Sequence, residues 1–451
     1  MPINNLPAAL QSVIQTGQLE HAFRMPLRAK LGFRSIADQE PFPAGIGETI
    51  TKTRTGLLPT VTTPMAPASN ADITSGLTPQ NYGIEQFILG VNQYAANMQL
   101  NIATSRTAIA SLYVRNAMAL SEQAARSVDA LAQVQLFEAY CGGNTFVRVT
   151  LGATGPTIQV DDIRGFRNTW DSAGRFQPVS GTNPINVTVG ASVYSLIGFA
   201  ADGTNVSKTP GGISGTLTFS TNVTLADGTL NNAVSSAVAP LVMRPMDNAT
   251  NTVPASTVNG ITTSLYNAGR ISMQMILQAK AQLSANGVPP VAETGMYHLY
   301  LSAKQAVGLF NDNDFKLLFR GEAKTPEYRR GIVADLLGAH LIETNLNPTG
   351  TFGANAVQYG ILCGSGALVE GGFTSEAYRQ AQQIDDDGLI VVADGIAHVT
   401  REPLDALKQV VTQTWSYIGG FAVPSDITTN PQTIPTASNS AYKRAVLMQS
   451  L

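Results

Sequence analysis

The chain has 451 residues, of which 44 % are hydrophobic, and this is the composition of a globular protein with a sizeable buried core. Only 13 % of the residues are charged, about half of the usual ~25 %. The 28 basic and 31 acidic side chains give a net charge of −3, which excludes a strongly basic surface for binding a phosphate backbone. We therefore expect no sequence-specific recognition of nucleic acid.

Signals for export, membrane insertion or disulfide formation are absent from the sequence pattern. Residues 1–5 hold no basic region that leads into an apolar one, and nowhere do ~18 apolar residues follow one another. We expect a protein that is made in the cytoplasm and does not enter a membrane. Cys141 and Cys363 are too few for a disulfide framework and lie outside any metal-ligand spacing. Both are predicted to be buried thiols.

The first 95 residues are predicted to be extended. Residues 1–40 carry scattered prolines and apolar side chains, which is typical of an arm that lies on another surface. In residues 41–95, two alternating stretches, Glu48–Arg54 and Ile84–Val91, flank a segment rich in Thr, Pro and Gly, and this pattern predicts a long projecting hairpin. Such a hairpin has too few apolar side chains to pack on itself. We expect it to lie across a neighbouring subunit.

Three charged residues of the first stretch are the predicted contact between subunits. Glu48, Lys52 and Arg54 are separated by even numbers of residues, so a strand places them on one face. We predict that Lys52 and Arg54 meet acidic residues of the neighbour.

One long helix is predicted within residues 96–142. No Gly or Pro occurs from Val91 to Cys141, and apolar residues recur at steps of three and four, which indicates one helix face. These apolar residues are Ile109, Tyr113, Ala117, Leu120, Ala124, Val128, Leu131 and Val134. We place the helix from about Thr104 to Tyr140, roughly 55 Å long at 1.5 Å per residue, with Gly142-Gly143 as its stop. Its sparse charges favour packing along a sheet over a coiled coil.

Residues 143–254 are predicted to form an inserted β-rich domain. Thr- and Val-rich alternating runs occur at Phe146–Leu151, Ile185–Val189 and Gly215–Leu225, with Asp-Gly turns between them. Residues that stop helices flank the region on both sides. We expect a separately folded sandwich or barrel whose ends lie close together, which projects outward and is dispensable for the core fold.

Mixed helices and strands are predicted for residues 255–424, followed by a C-terminal tail at 425–451. A helical pattern over Val258–Leu283 ends at Asn286-Gly287, and Ser302–Gln305 has the residues of a capping box. The other predicted elements are strands at Met296–Leu301, Leu341–Glu343 and Val357–Cys363, a hairpin at Leu389–Thr400 that turns on Asp394-Gly395, and helices at Gly331–His340 and Leu404–Tyr417.

The sequence offers little for catalysis or metal binding. The four histidines (His21, His298, His340 and His398) have no partners at ligand or triad spacing and are interpreted as structural. No hydrolase, zinc-protease, phosphate-loop or kinase motif is present. Asp385–Asp387 lacks the alternating spacing of a calcium loop, so a solvated turn is favoured. We predict no catalytic residue, no metal and no cofactor.

The order of the predicted elements resembles that of a known family. The arm, the long hairpin, the unbroken helix with its Gly-Gly stop, and a second helix that leads into a strand follow one another as in the Hong Kong 97-type major capsid proteins of tailed bacteriophages. Local stretches that are similar to podophage-like coat proteins are Ala281–Leu301, Gly338–Asn345, Tyr359–Ala367 and Leu404–Pro424. The resemblance covers residues 1–142 and 255–424, and residues 143–254 depart from the minimal family pattern.

The resemblance implies an α+β fold of the Hong Kong 97 type, with an N-terminal arm, an extended loop, a spine helix, peripheral and axial domains, and an inserted β-rich domain. It implies a major capsid protein, without enzyme activity, that assembles in the host bacterial cytoplasm as hexamers and pentamers of the icosahedral head. That head would enclose phage DNA, and a near-neutral inner wall suits DNA because phosphate contacts would impede ejection. Implied partners are other copies of the chain, a portal and a possible cementing protein. A separate scaffolding protein is implied because no charged helical segment precedes residue 40.

Two other classes stay open at this point. A tail-tube, sheath or adhesin-like virion protein would use the Thr/Asn/Gly-rich region 143–254 as its working part, but the long helix argues against it. A hydrolase with a carbohydrate-binding β-domain would need two convergent carboxylates, and Asp161-Asp162 are the only candidates. We favour a position for these two acids at a helix start, where they would interact with the helix dipole.

Overall fold

The computed structural model describes residues 10–11, 21–23, 32–41, 49–55, 60–62, 84–101, 109–170, 176–236, 241–245, 269–320, 335–352, 355–372, 390–401, 403, 406–407, 409–424 and 443–451. The helices are α1 (Ile109–Cys141), α2 (Met273–Ala285), α3 (Ala303–Phe310) and α4 (Asn313–Arg320), and a short 3-10 helix spans Phe33–Ile36. The strands are β1 (Ala37–Pro41), β2 (Thr49–Thr55), β3 (Ile84–Gly90), β4 (Asn92–Asn101), β5 (Asn144–Phe146), β6 (Gly155–Val160), β7 (Asn168–Trp170), β8 (Phe176–Pro178), β9 (Ile185–Val189), β10 (Ser192–Ala201), β11 (Gly215–Val223), β12 (Ala233–Ser236), β13 (Leu241–Met243), β14 (Tyr297–Leu301), β15 (Asp335–Leu336), β16 (Ala339–Glu343), β17 (Thr349–Phe352), β18 (Asn355–Cys363), β19 (Leu368–Gly372), β20 (Ile390–Ala393), β21 (Ile396–Arg401), β22 (Val410–Ala422) and β23 (Ala445–Ser450). The predicted α+β class is confirmed.

The long helix predicted from the apolar pattern is α1, which we call the spine helix. Its 33 residues span about 50 Å, and Gly143 ends it in a left-handed conformation (φ 78°). Its first half packs through Tyr113, Ala117 and Leu120, as the pattern predicts. Its second half turns a different side inward, so Val134 is 47 % exposed. This change of side follows from a change of neighbour, because the last turns enter a second core.

The first half of the spine helix lies on a six-stranded sheet, which we call sheet 1. Its strand order is β1-β19-β22-β21-β20, and β4 pairs with β22. The shared core includes Leu100 from β4 and Trp415 and Tyr417 from β22. Leu10 and Phe23 of the N-terminal segment are fully buried in the same core. The predicted helix on a sheet is present, and four of the six strands follow the helix as predicted, whereas β1 and β4 precede it.

The prediction of a helix at Leu404–Tyr417 is wrong. Residues 410–417 belong to β22, the central strand of sheet 1. Buried Val411, Gln413 and Trp415 alternate with half-buried residues between them, which is the period of a strand. The run is rich in β-branched and aromatic residues, and these fit a pleated surface. Next to it, the hairpin predicted to turn on Asp394-Gly395 is confirmed, since both residues have positive φ between β20 and β21.

A six-stranded antiparallel barrel fills most of the region predicted to be β-rich. The strand order is β5-β12-β9-β10-β11-β6, and a bridge between Val147 and Val160 joins the last strand to the first. The barrel has its own core, with fully buried side chains that include Val187, Leu196 and Leu217. The strands predicted at Ile185–Val189 and Gly215–Leu225 are present, whereas the strand expected at Phe146–Leu151 is only Asn144–Phe146.

The barrel ends earlier than the predicted boundary at residue 254. Strand β13 lies outside the barrel and pairs in parallel with β23. The entry and exit of the barrel lie side by side, because Asn144 pairs with Ser235. Its base also touches the rest of the chain, where the N–H of Gly143 donates to the carbonyl of Arg164 at 2.8 Å. Whether this region is an independent, outward-projecting domain stays a prediction.

A third set of strands forms a seven-stranded sheet, which we call sheet 2. Its order is β13-β23-β18-β14-β16-β15, and β17 pairs with β18. One face packs against α2, α3 and α4, and the other receives the second half of the spine helix. The segment placed in a C-terminal tail contributes β23, whose residues Ala445 to Met448 are fully buried. The sheet therefore joins strands that are more than 200 residues apart.

Capping signals around sheet 2 predict the structure well. Ser272 caps the start of α2, Asn286 and Gly287 (φ 72°) end it, and Ser302 with Gln305 forms the predicted capping box of α3. The helix predicted at Gly331–His340 is wrong over its described part, where β15 and β16 form a tight hairpin. Leu337 (φ 55°) and Gly338 (φ 82°) make its turn, and this left-handed pair ends any helix.

Candidate assembly surfaces

The hairpin formed by β2 and β3 is attached to the molecule at its base. The two strands pair in register from Thr49–Gly90 to Thr55–Ile84, which confirms the predicted pair of strands. Phe87 and Leu89 of β3 are buried against Val369 and Ala422 of sheet 1. Along β2 the side chains of Thr49, Thr51 and Thr53 are exposed. The two strands join no larger sheet among the described residues, so β2 presents one unpaired backbone edge.

The predicted contact residues on this hairpin have different outcomes. Lys52 forms an ion pair within its own chain, with Nζ 2.5 Å from Oε2 of Glu40 on β1. Both side chains are about one third exposed (31 % and 39 %), so the pair contributes only ~0–1 kcal/mol. Glu48 and the side chain of Arg54 lie outside what the structure describes. A contact of Glu48, Lys52 and Arg54 with a neighbouring subunit stays a prediction.

The segment of residues 32–41 is fixed to the spine helix. A carboxylate oxygen of Asp129 accepts the backbone N–H groups of Gly32 (3.1 Å) and Arg34 (3.0 Å). Phe33 stacks on Tyr300 of sheet 2, with ring centroids 4.5 Å apart. Burial is the largest cause that raises the pKa of Asp129 above its ordinary value, and the three backbone donors at residues 32–34 oppose it. The segment is thereby held at the junction of sheets 1 and 2.

A buried ion pair completes this attachment. Nε and Nη2 of Arg34 lie 2.7 to 3.0 Å from the carboxylate oxygens of Glu370 on β19, and both side chains are less than 10 % exposed. Glu370 also accepts from Gln39 (2.6 Å) and from the hydroxyl of Tyr417 (2.9 Å). Burial lowers the pKa of Arg34, but the hydrogen bond and charge of Glu370 outweigh it and leave the pKa raised. Removing one partner of such a pair costs about 3–5 kcal/mol.

Sequence reasoning missed this ion pair, although a signal was present. Glu370 is the only charged residue in the apolar run from Gly364 to Gly372, and a lone acid in a buried strand requires a partner. Nothing in the sequence pointed to Arg34 as that partner, because 336 residues separate the two.

The two acids weighed as hydrolase carboxylates are structural. Asp161 is fully buried and accepts four hydrogen bonds from residues 207–209, at 2.8 to 3.1 Å. Oδ2 of Asp162 accepts hydrogen bonds from Nη2 (2.8 Å) and Nε (3.0 Å) of Arg164, and both side chains are at least 97 % buried. A short turn follows them instead of a helix, so the favoured dipole interaction is wrong. Asp161 thereby holds residues 207–209 at the end of the barrel that lies next to sheet 2. There the backbone N–H of Thr351 on β17 donates to the carbonyl of Lys208 (3.4 Å).

The two cysteines and two of the histidines are buried in the cores. Cys141 and Cys363 are buried free thiols, as predicted, and burial raises the pKa of Cys141 to about 12. His298 and His398 lie inside strands, as expected of structural histidines. Among the described residues, no group of three or more metal-ligating side chains could hold an ion. Asp385–Asp387 lies outside the described residues. No described helix is long and apolar enough to cross a membrane.

Comparison with known proteins finds similarity at the level of structure alone. No protein-family model and no curated protein matches the sequence. The structure is similar to the capsid of Ralstonia phage GP4, with 12 % identity, 94 % of this chain and 90 % of that chain covered, and a TM-score of 0.46. It is also similar to the capsid of cyanophage Pam1 (12 % identity, 90 % and 85 % covered, TM-score 0.45) and to that of cyanophage P-SCSP1u (10 % identity, 93 % and 87 % covered, TM-score 0.45).

Proposed function

We propose that this chain is the major capsid protein of a tailed bacteriophage, a shell-forming subunit and not an enzyme. The observation that carries the proposal is the β2–β3 hairpin. Its base is buried against sheet 1, while alternate side chains of β2 are exposed and the two strands join no larger sheet among the described residues. A two-stranded ribbon alone is marginally stable in water, so a hairpin of this kind is stabilised by lying on another copy of the chain.

The order of elements supports the same proposal. The fixed segment 32–41, the hairpin, the spine helix, the β-rich insertion and the second helix before β14 follow one another as the family resemblance requires. The spine helix spans two cores and joins sheet 1 to sheet 2. A subunit built in this way has a rigid body, and extended elements remain free for contacts with neighbours.

In the proposed assembly, copies of the chain form hexamers and pentamers of an icosahedral head. The head encloses DNA without sequence-specific binding, which the net charge of −3 favours. A separate scaffolding protein, a portal and a cementing protein are the proposed partners in the virion, and assembly takes place in the host cytoplasm.

Electron microscopy of the purified full-length chain, expressed with and without the neighbouring genes of its source, tests the proposal. We expect closed shells with hexameric and pentameric units. Tubes of stacked rings would support the tail-tube class instead, and monodisperse small particles under all conditions would contradict a shell protein.

A matched pair of variants tests the role of the hairpin. Lys52→Glu reverses a charge on the hairpin, and Lys304→Glu reverses an exposed charge on α3, far from it in sequence. We expect Lys52→Glu to reduce the yield of shells and Lys304→Glu to reduce it less. Equal yields from both variants would show that Lys52 takes no part in the contact between subunits. This result would not exclude that the chain forms a shell.

A further inference from the structure

The aromatic ring of Phe23 lies on the imidazole of His398. The ring centroids are 5.0 Å apart with an interplanar angle of 48°, and both residues are fully buried. Phe23 belongs to the N-terminal segment, and His398 belongs to β21 of sheet 1. The backbone carbonyl of Phe23 accepts one hydrogen bond, from the hydroxyl of Ser121 on the spine helix at 2.6 Å. Phe23 therefore covers one side of the buried His398 ring.

The imidazole under this cover has no hydrogen-bond partner at either ring nitrogen. A neutral imidazole always carries one N–H donor, and a buried donor without a partner is costly and rare. Here the ring is enclosed by Phe23 above and by its strand neighbours Val391 and Trp415 at the sides. The site accepts a neutral ring and offers nothing to stabilise a charged one.

No nearby charge compensates for protonation. The titratable or charged residues on the described parts of the elements packed around the ring include His21 beside Phe23, Arg401 on β21, Tyr417 on β22, Asp394 directly after β20, and Tyr113, Arg115, Glu122, Arg126, Asp129 and Glu138 on the spine helix. The hydroxyl of Tyr113 is paired with Thr400, and that of Tyr417 with Glu370. Burial alone lowers the pKa of His398 to about 4. Protonation of His398 in the closed site is therefore opposed by desolvation.

We propose that His398 and Phe23 form an acid-operated latch, in which protonation of the imidazole displaces Phe23 and releases residues 21–23 from sheet 1 and the spine helix. Water that enters behind Phe23 solvates the imidazolium, and the hydrogen bond from Ser121 to Phe23 is broken in the same step. The buried ion pair of Arg34 with Glu370 keeps residues 32–41 attached.

The pH window follows from the two protonation equilibria. The open state exposes His398, whose pKa is then near the ordinary 6.5, whereas the closed state holds it at about 4. The open state binds more protons between these values, so closure is fully favoured above pH 6.5 and weakens as the pH falls towards 4. Linkage gives an increase in the opening constant of about 30-fold between pH 7.5 and pH 5.0.

Hydrogen exchange of the full-length chain tests the latch. Exchange of the peptide that contains Phe23 is compared at pH 7.5 and pH 5.0 in the unmodified chain and in His398→Phe. The intrinsic dependence of exchange on pH is the same in both proteins, so it cancels. We expect an additional increase of about 30-fold in the unmodified chain and none in His398→Phe.

His298→Phe is the matched control. His298 is also buried in a strand, and its pKa is also lowered, mainly by burial, but it lies in sheet 2 beside His340. We expect its variant to keep the acid response of the Phe23 peptide. If the response is lost in His298→Phe and kept in His398→Phe, the wrong histidine has been assigned.

A second variant covers the case in which His398→Phe does not fold. Phe23→Ala removes the cover, so the Phe23 region should exchange rapidly at pH 7.5 and change little at pH 5.0. Trp415, the strand neighbour of His398, gives an independent fluorescence signal for opening. An unmodified chain in which neither signal changes between pH 7.5 and pH 5.0 would overturn the proposal.

Discussion

The barrel and the hairpin are both made of antiparallel strands, but they differ in whether the edges and apolar side chains of those strands are covered by the same chain. The barrel closes through the Val147–Val160 bridge and buries its own core, so it leaves no free edge. The hairpin buries Phe87 and Leu89 at its base and exposes the side chains of Thr49, Thr51 and Thr53 on β2. A closed set of strands is stable within one chain, whereas an open pair depends on what lies beside it. The difference separates a region that is complete within one chain from a hairpin whose proposed support is another copy of the chain.

Removal of the barrel is expected to have the largest effect on stability and tests whether the barrel is complete in itself. Because Asn144 and Ser235 are paired, a short Gly-Ser linker can replace residues 144–236. We expect a soluble chain that keeps its helical signal in circular dichroism. We also expect a loss of roughly 5 kcal/mol, because the core that holds Cys141 and Tyr359 loses its packing against Phe146, and Tyr359 loses its hydrogen bond with Thr209. Insoluble protein without residual helix would show that the barrel is integral to the core fold.

A smaller loss is expected from breaking the buried ion pair at the barrel base. Arg164→Met leaves the carboxylate of Asp162 buried without its partner, and this should cost about 3–5 kcal/mol in denaturant unfolding. Arg148→Met is the control, because its ion pair with Asp202 is about one quarter exposed (24 % and 25 %) and should contribute at most ~1 kcal/mol. Similar losses in the two variants would mean that Arg164 acts through packing and not through its charge.

The smallest effect on the isolated subunit is expected at the hairpin. Lys52→Ala should change the free energy of unfolding by only ~0–1 kcal/mol, because its ion pair with Glu40 is partly exposed. Its effect should instead appear in assembly, measured by light scattering as a function of salt. High salt should reduce the difference between the two proteins, since exposed charges are screened. A large loss of subunit stability would show that the hairpin is held mainly by its own chain.

The sequence predicts the parts of this fold that depend on local signals. Steps of three and four place the spine helix, and serine caps together with Asn286-Gly287 place the helices around sheet 2. Local signals failed where tertiary contacts decide the structure. The run around Trp415 has apolar residues at both helical and strand spacings, and its six-stranded environment selects the strand. The left-handed Leu337 had no signal in the residue itself, because leucine rarely adopts that conformation.

The candidate surfaces were predicted less completely than the fold. Alternation placed Lys52 in a hairpin, but the sequence could not show that Glu40, twelve residues earlier, lies within reach of it. The latch was missed for a similar reason. His398 was interpreted as structural, and only the three-dimensional packing shows that Phe23 is the residue that covers it.

The position of β23 in sheet 2 has a consequence for biosynthesis. This strand lies between β13 and β18, and Arg244, next to β13, bonds Gln449 across 205 residues of sequence. A ribosome must therefore complete residues 445–450 before sheet 2 can close, even though β13, β14 and β18 have emerged much earlier. Pairings at such long sequence separation form slowly. Until then the unfinished sheet leaves β18 with an open edge, and a chaperone that shields this edge during translation would raise the yield of folded protein.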